Sequence, residues 1–247
     1  MNDGIQKAAK ILSESKLSVA LTGAGSSTPS GIPDFRSPGS GLWEKFDPIE
    51  VATIDAFMRT PEKFYKLMLP MAKMFRDSQP NAAHTALAEM EKRGKLKTVI
   101  TQNIDSLHQR AGSTNVLELH GSCERAHCYS CQSPFTLDEM IARSGDGDIP
   151  RCECGGMIKP DVILFGEPLP FDALTQAERD SKECSAMIII GSSLTVAPAS
   201  LLPQVAMQYN AKIIVVNLQR TYIDTRADVV LREKVEDALP AILEHMN

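Results

Sequence analysis

The sequence predicts a doubly wound α/β fold, and three observations carry the prediction. Short β-branched or aliphatic runs recur along the chain, several apolar on both faces; helical patterns separate the later ones; and a glycine-rich loop directly follows the first. Strands that are apolar on both faces belong to parallel sheets covered by helices on each side.

The elements follow in order. An amphipathic helix comes first, with Ile5, Ala8, Ala9 and Leu12 on one face. The strand Val19-Ala20-Leu21 leads into a stretch holding Gly23, Gly25, Gly31, Gly39 and Gly41 together with Pro29, Pro33 and Pro38, a composition that specifies a long loop. From about 48 to 93 the pattern is helical and rich in methionine (Met58, Met68, Met71, Met74, Met90), a residue that fills cores or lines grooves. Further strands are expected at 97–101, 116–119, 162–165, 187–190 and 213–216, and helices at 171–182, 198–209 and 235–245. Two stretches interrupt the α/β pattern, a helical one at 43–93 and a cysteine-bearing one at 121–159.

Composition sets the outer limits. The 247 residues are 43% hydrophobic and 23% charged, which suits a soluble globular chain of one large domain or one domain carrying a smaller one. No apolar run approaches the roughly 18 residues of a membrane span, and the beginning lacks the basic-then-apolar pattern of a signal peptide. A cytoplasmic setting is therefore expected, where six cysteines point to metal ligation or buried thiols rather than to disulfides. The formal net charge of −5 argues against direct nucleic-acid binding and suits a cationic partner.

Three motifs carry chemistry. Gly23-Ala24-Gly25-Ser26-Ser27-Thr28 begins like a dinucleotide fingerprint but has Thr28 at the third glycine position. Glycines there let the backbone approach a pyrophosphate, and an ordinary glycine turn after a strand fits the same residues. The second strand and ribose-binding acid of a hydride-transfer enzyme are missing, since Pro33-Asp34-Phe35-Arg36-Ser37 continues the loop. Asn217, at the end of the strand at 213–216, is the better ribose partner or else a turn asparagine. Next, Thr101-Gln102-Asn103-Ile104-Asp105 packs amides and a carboxylate after an apolar strand, at the edge where open α/β sheets bind ligands, though Asn103 or Asp105 could instead cap a short helix. His120 also follows a strand and is a candidate general base, whereas His84, inside a helical pattern, reads as structural. Lastly, Cys128-x-x-Cys131 and Cys152-x-Cys154 supply four thiolates for a closed, structural zinc site; buried free cysteines are the alternative. Glu124, Asp138, Glu139, Asp146, Asp148 and Glu153 outnumber the nearby Arg125, Arg143, Arg151 and Lys159, a poor balance for a DNA-binding finger. Cys123 and Cys184 fall outside the pattern and read as small core residues.

Taken in order, Gly23-Ala24-Gly25-Ser26-Ser27, Gly31-Ile32-Pro33-Asp34-Phe35-Arg36, Thr101-Gln102-Asn103-Ile104-Asp105, His120-Gly121, the cysteine pairs, Phe165-Gly166-Glu167, Gly191-Ser192-Ser193 and Val216-Asn217-Leu218 closely resemble the sirtuin family of NAD-dependent protein deacylases. The resemblance runs over nearly the whole chain. It implies a Rossmann-like NAD-binding domain (1–42, 94–120 and 160–247) with a small domain built from the helical insertion (43–93) and a zinc module (121–159). It assigns Gly23, Ala24, Gly25, Thr28, Asp34, Phe35 and Arg36 to the NAD loop. Gln102, Ile104 and Asp105 go to the ribose and nicotinamide pocket, Asn103 to ribose positioning, and Gly191, Ser192, Ser193, Asn217, Leu218 and Val235 to the adenosine half. His120 becomes the general base.

The implied reaction is protein lysine deacetylation: the acyl oxygen attacks the ribose as nicotinamide leaves, and the acyl group ends on ADP-ribose. The residues seen suit that chemistry, which needs a base, an ordered ribose and exclusion of water, with no nucleophilic side chain. The segment 162–167, with Val162, Phe165, Gly166 and Glu167, and the loop 193–197, with Val196, resemble the two edges between which sirtuins insert an acyl-lysine peptide as a strand. NAD and one structural zinc are the implied cofactors, and acetyl-lysine-bearing proteins or peptides the partners. Desuccinylase-type sirtuins carry a tyrosine and an arginine three apart; here Tyr65 is followed by Met68, so acetyl and other neutral acyl groups are expected. The alternatives are deacylation of those other groups, ADP-ribosyl transfer, a conventional NAD oxidoreductase and a non-catalytic zinc-stabilised binding module.

Overall fold

A computed structural model describes residues 3–145 and 147–246; Met1, Asn2, Asp146 and Asn247, with the expectations that touch them, lie outside the described residues. β1 (Ser18–Thr22), β2 (Thr98–Thr101) and β3 (Val116–Glu118) are followed by β4 (Gly121–Cys128), β5 (Pro134–Thr136) and β6 (Ile158–Val162), which form a separate antiparallel sheet in the order β5-β4-β6. β7 (Ala186–Ile190), β8 (Lys212–Val216) and β9 (Val229–Leu231) complete a six-stranded parallel sheet in the order β3-β2-β1-β7-β8-β9. The chain winds one way from β1 to β3 and the other way from β7 to β9. Between β1 and β7 lies a topological switch point, where loops leaving the carboxyl ends diverge and open a crevice.

Alternation along the central strands explains both covered faces. In β7, Ile188 and Ile190 pack with Ala8 and Leu12 of α1 (Asp3–Glu14), while Met187 and Ile189 belong to the core on the opposite face. The helical insertion resolves into α2 (Pro48–Val51), α3 (Ile54–Arg59), α4 (Pro61–Asp77) and α5 (Ala82–Lys92). Its breaks fall at cap residues: Thr53 Oγ1 accepts from Ala56 N at 3.0 Å, and Asn81 caps α5 together with His84. α6 (Leu107–Arg110) and α7 (Leu137–Arg143) follow, the latter opened by a Thr136/Glu139 capping box. α8 (Phe171–Glu183), α9 (Leu202–Gln208) and α10 (Val235–Glu244) occupy the three later helical stretches, the middle one beginning as a 3₁₀ turn. α5 and α10 pack beside α1 on one face of the sheet, through Leu87, Met90, Leu239 and Ile242. α8 and α9 contribute Ala177, Leu202 and Ala206 to the other. The two insertions share a third core, in which Phe57, Phe64 and Met71 meet Cys123, Ala126, Met140 and Ile158.

One strand needs correction. The run at 162–165 is not a strand of the parallel sheet. Val162 ends β6, pairing antiparallel with Gly121, and Phe165 makes only an isolated bridge to Thr53. Its apolar character has another cause, since Val162 and Leu164 are buried in the core shared by the insertions. β9, three residues long, and the strands of the cysteine-bearing stretch went unread. Among the described residues no helix is long and apolar enough to cross a membrane.

Candidate active site

The crevice at the switch point is built by close backbone approach. Gly23 N donates to Ile190 O at 3.0 Å and Gly25 N to Gly191 O at 2.8 Å, tying the loop after β1 to the end of β7. A Cβ on Gly25 would stand 2.8 Å from Gly191 Cα, and one on Gly191, where φ is +59°, only 2.3 Å from Ser26 N. Glycine is therefore required on both sides of the crossing. The loop continues into two 3₁₀ turns, Ala24–Ser26 and Thr28–Ser30, rather than the α-helix of the dinucleotide fingerprint.

The chain after β2 meets this loop from the other side. Asn103 Nδ2 lies 3.2 Å from Gly23 O, 3.0 Å from Ser26 Oγ and 3.1 Å from Ser27 Oγ, while Ser27 Oγ donates to Asp105 Oδ2 at 2.6 Å. Asp105 also accepts from Leu107 N, the first residue of α6, at 2.9 Å, but Ser106 occupies the N-cap position, so neither Asn103 nor Asp105 is the cap. Burial pushes the Asp105 carboxyl above the ordinary range, opposed by those two hydrogen bonds. Gln102 Nε2 donates to Ser192 Oγ at 2.9 Å, and Gln102 O receives His120 Nδ1 at 2.9 Å. Burial holds the His120 imidazole below its usual pKa, with the Gln102 hydrogen bond opposing.

Around these groups runs a cavity of about 840 Å³. It is lined by the residues expected in the NAD loop (Gly23, Ala24, Gly25, Thr28, Asp34, Phe35, Arg36), after β2 (Gln102, Asn103, Ile104, Asp105) and at His120. It is also lined by those at the β7, β8 and α10 ends (Gly191, Ser192, Ser193, Asn217, Leu218, Val235) and along the two expected peptide edges (Val162, Phe165, Gly166, Glu167, Val196). Asp34 organises its loop by accepting from Arg36 N and Ser37 N, and Phe35 stacks on Trp43 at 4.9 Å. Asn217 Nδ2 donates to Gln219 O, a turn contact that coexists with its position on the cavity. The dimensions and the glycine crossing fit a dinucleotide that brings its backbone-contacting phosphates to the loop.

Some lining residues escaped the sequence reading. Ser27, buried between Asn103 and Asp105, stood inside the quoted motif but was given no role; its signal was the paired serines after the glycines. Phe64, Leu67, Met68 and Met71 of α4 form an apolar wall, readable as the groove-lining option for the methionines. Tyr65 does not join them: it is buried in the insertion core, and its hydroxyl donates to Ile158 O at 2.8 Å.

The four cysteines converge as their spacing requires. The Sγ atoms of Cys128, Cys131, Cys152 and Cys154 all lie within 4.8 Å of one another, with Cys128 to Cys154 at 3.5 Å and Cys131 to Cys152 at 3.7 Å. A tetrahedron with Zn–S bonds of about 2.3 Å has edges of about 3.8 Å, so the donor set fits zinc. The single residue between Cys152 and Cys154 is accommodated by a tight turn, in which Cys152 N donates to Gly156 O at 2.9 Å. A Cβ on Gly156 would stand 2.7 Å from Cys128 Sγ. Cys123 and Cys184 are buried elsewhere.

Comparison with known proteins agrees with this architecture. The Sir2 family pattern matches residues 23–198. NAD-dependent protein deacylase 2 of Archaeoglobus fulgidus is 48% identical over 249 residues, covering 100% of this chain and 97% of its own. The NAD-dependent protein deacetylase of Saccharolobus solfataricus is 47% identical over 245 residues, covering 98% and 96%. A solved Sir2 histidine-to-alanine variant with a deacetylated p53 peptide and 3′-O-acetyl ADP ribose superposes with a TM-score of 0.94 at 40% identity, covering 98% of this chain and 99% of that one. By the family pattern over most of its length, and by relatives close to half identical from end to end, the chain belongs to the Sir2 family.

Proposed function

We propose that this chain is an NAD-dependent protein lysine deacetylase, transferring the acetyl group of acetyl-lysine to ADP-ribose with release of nicotinamide. The observation that carries the reading is the position of His120: its Nδ1 is fixed by a backbone carbonyl, and it shares one cavity with the glycine crossing and the Asn103–Asp105 cluster. Bound NAD supplies the ADP-ribosyl acceptor and the nicotinamide leaving group.

The chain's own residues do the rest. Gly23, Ala24, Gly25, Thr28 and Arg36 would hold the phosphate side, and Ser192, Ser193 and Asn217 the adenosine side. Asn103, its amide already shared between Gly23 O and two serines, would orient the ribose near Asp105. His120 would take the proton from the ribose hydroxyl. Phe35, stacked on Trp43, would cover the reacting centre and exclude water. The apolar wall of α4 would receive the acyl group, and the segments around Phe165-Gly166-Glu167 and Val196 the peptide backbone. The zinc would hold the insertion core together, away from the chemistry. This reading divides the chain into a Rossmann-like part (1–42, 94–120, 160–247) and a small module (43–93, 121–159); the common core of the two insertions supports the second as far as Phe75, whereas α5 packs with α1 and α10 on the parallel sheet. The convergence of four of the six cysteines as a metal-ligand set supports a thiol-preserving compartment such as the cytoplasm, and the net charge of −5 supports lysine-bearing substrates over nucleic acid.

Nicotinamide release from NAD, measured with and without an acetyl-lysine peptide, tests the reading. Peptide-dependent release with formation of O-acetyl-ADP-ribose is expected; equal release in both would overturn it.

A further inference from the structure

The segment 162–167 has an anchoring system that neither the fold nor the reaction requires by itself. After β6 it leaves the small sheet and runs extended, with its backbone groups satisfied one by one. Ile163 N donates to His120 O at 2.9 Å, Phe165 N donates to Ala52 O at 2.9 Å, and Phe165 O accepts from Ile54 N at 3.0 Å. Val162 O and Leu164 N are served by side chains: Lys159 Nζ donates to Val162 O at 2.8 Å, and Glu167 Oε2 accepts from Leu164 N at 2.8 Å. Lys159 Nζ and Glu167 Oε2 are themselves 3.1 Å apart.

Lys159 is 3% exposed and stands behind the segment, outside the catalytic cavity that Glu167 lines. Burying the Lys159 ammonium is costly even beside Glu167, whose side chain keeps 22% exposure, and apolar replacement of buried ion pairs is often neutral or stabilising. Stability alone is therefore a weak reason for the pair. Hydrocarbon could not satisfy a backbone carbonyl and an N–H two residues apart on a strand with no partner there. The pair does both, and it closes on itself, since Glu167 N also donates to Leu164 O at 3.0 Å.

We propose that Lys159, acting through Glu167, is a positioning residue that presets 162–167 to receive the acyl-lysine peptide, and so sets peptide affinity independently of NAD. The proposal rests on the deacetylase reading. Its test compares Lys159→Met, Lys159→Arg and the double variant Lys159→Met/Glu167→Gln with the parent, measuring KM for an acetyl-lysine peptide and for NAD separately. Lys159→Met should raise the peptide KM about tenfold or more while the NAD KM moves less than about twofold, as expected for displacement of a docking edge. Lys159→Arg, which keeps a donor cation, should recover most of the affinity. The double variant leaves no unpaired buried charge and should fold while keeping the peptide defect.

Folded variants with an unaltered peptide KM, or with both KM values raised in parallel, would overturn the proposal. So would failure of the double variant to fold, because the pair would then hold the module and not the edge. A parent protein inactive on the peptide would instead overturn the deacetylase reading.

Discussion

His120 Nδ1 lies 2.9 Å from the backbone carbonyl oxygen of Gln102. A carbonyl can only accept, so in the neutral ring Nδ1 carries the hydrogen and Nε2 is left with the free lone pair of a base. Burial disfavours the imidazolium, holding the ring below its usual pKa. A lowered value keeps the base neutral, and so competent, as pH falls through 6.5. The acid limb of kcat/KM should therefore have an apparent pKa below 6.5. Replacement His120→Ala should reduce turnover by roughly a hundredfold or more with the melting temperature little changed. An acid limb above 6.5, or an active variant, would remove His120 from the role.

The zinc site calls for a different measurement. Purified protein should contain one zinc per chain, and strong chelation should unfold or aggregate it, because the thiolates join β4 to the turn before β6 within the insertion core. Cys131→Ser should lower metal content and thermal stability together. A metal-free protein melting at the same temperature would contradict the assignment.

How much of this was legible in the sequence depended on which signal each residue emitted. The central strands were readable because burial on both faces leaves unbroken apolar runs, as in Met187-Ile188-Ile189-Ile190. The same signal misled at 162–165, where Val162 and Leu164 are apolar because they enter the insertion core, not because a parallel neighbour lies alongside. Gly25 and Gly191 could be named as loop glycines, but that they cross each other was invisible: the requirement is mutual, and the two positions are far apart in the chain. Cysteine spacing foretold the ligand set because metal geometry constrains near neighbours. Lys159 gave no signal, since its partners are a backbone carbonyl and a carboxylate eight residues on, in a segment whose path the sequence did not show.

His84 and His108 form a buried pair, rings 4.8 Å apart and steeply inclined. His84 Nδ1 accepts from Asn81 N at 3.2 Å, placing the proton on Nε2. His108 Nε2 lies 3.0 Å from Thr22 Oγ1, whose own hydrogen goes to Thr101 Oγ1, so this Nε2 donates and Nδ1 is bare. The remaining His84 Nε2 and His108 Nδ1 have no hydrogen-bond partner. Burial lowers His84 to about 4 and His108, which also feels His84, to about 3. The unfolded chain takes up these protons near pH 6.5 and the folded chain does not, so stability present above 6.5 is lost as pH falls toward 4. At about 1.4 kcal/mol per pKa unit, the two rings together cost about 4 kcal/mol as pH falls from 6.5 to 5. Urea unfolding between pH 7 and 5 should show the decline beginning near 6.5, before carboxylates titrate. Stability independent of pH across that range would refute it.

Acyl selectivity follows from the α4 wall. Phe64, Leu67, Met68 and Met71 face the cavity with no cation among them, while Tyr65 is turned away and bound to Ile158 O. A succinyl or glutaryl carboxylate entering there would lose water and find no partner, at a cost of several kcal/mol. With matched peptides, kcat/KM should therefore be at least a hundredfold higher for acetyl-lysine than for succinyl-lysine, since about 1.4 kcal/mol corresponds to a factor of ten. Introducing the missing cation by Met68→Arg should narrow that ratio by lowering acetyl turnover and raising succinyl turnover. Only part of the gap should close, because Tyr65 remains committed to Ile158 and cannot supply a second donor. Comparable kcat/KM for both acyl groups in the parent would show that the carboxylate is met by residues outside this wall.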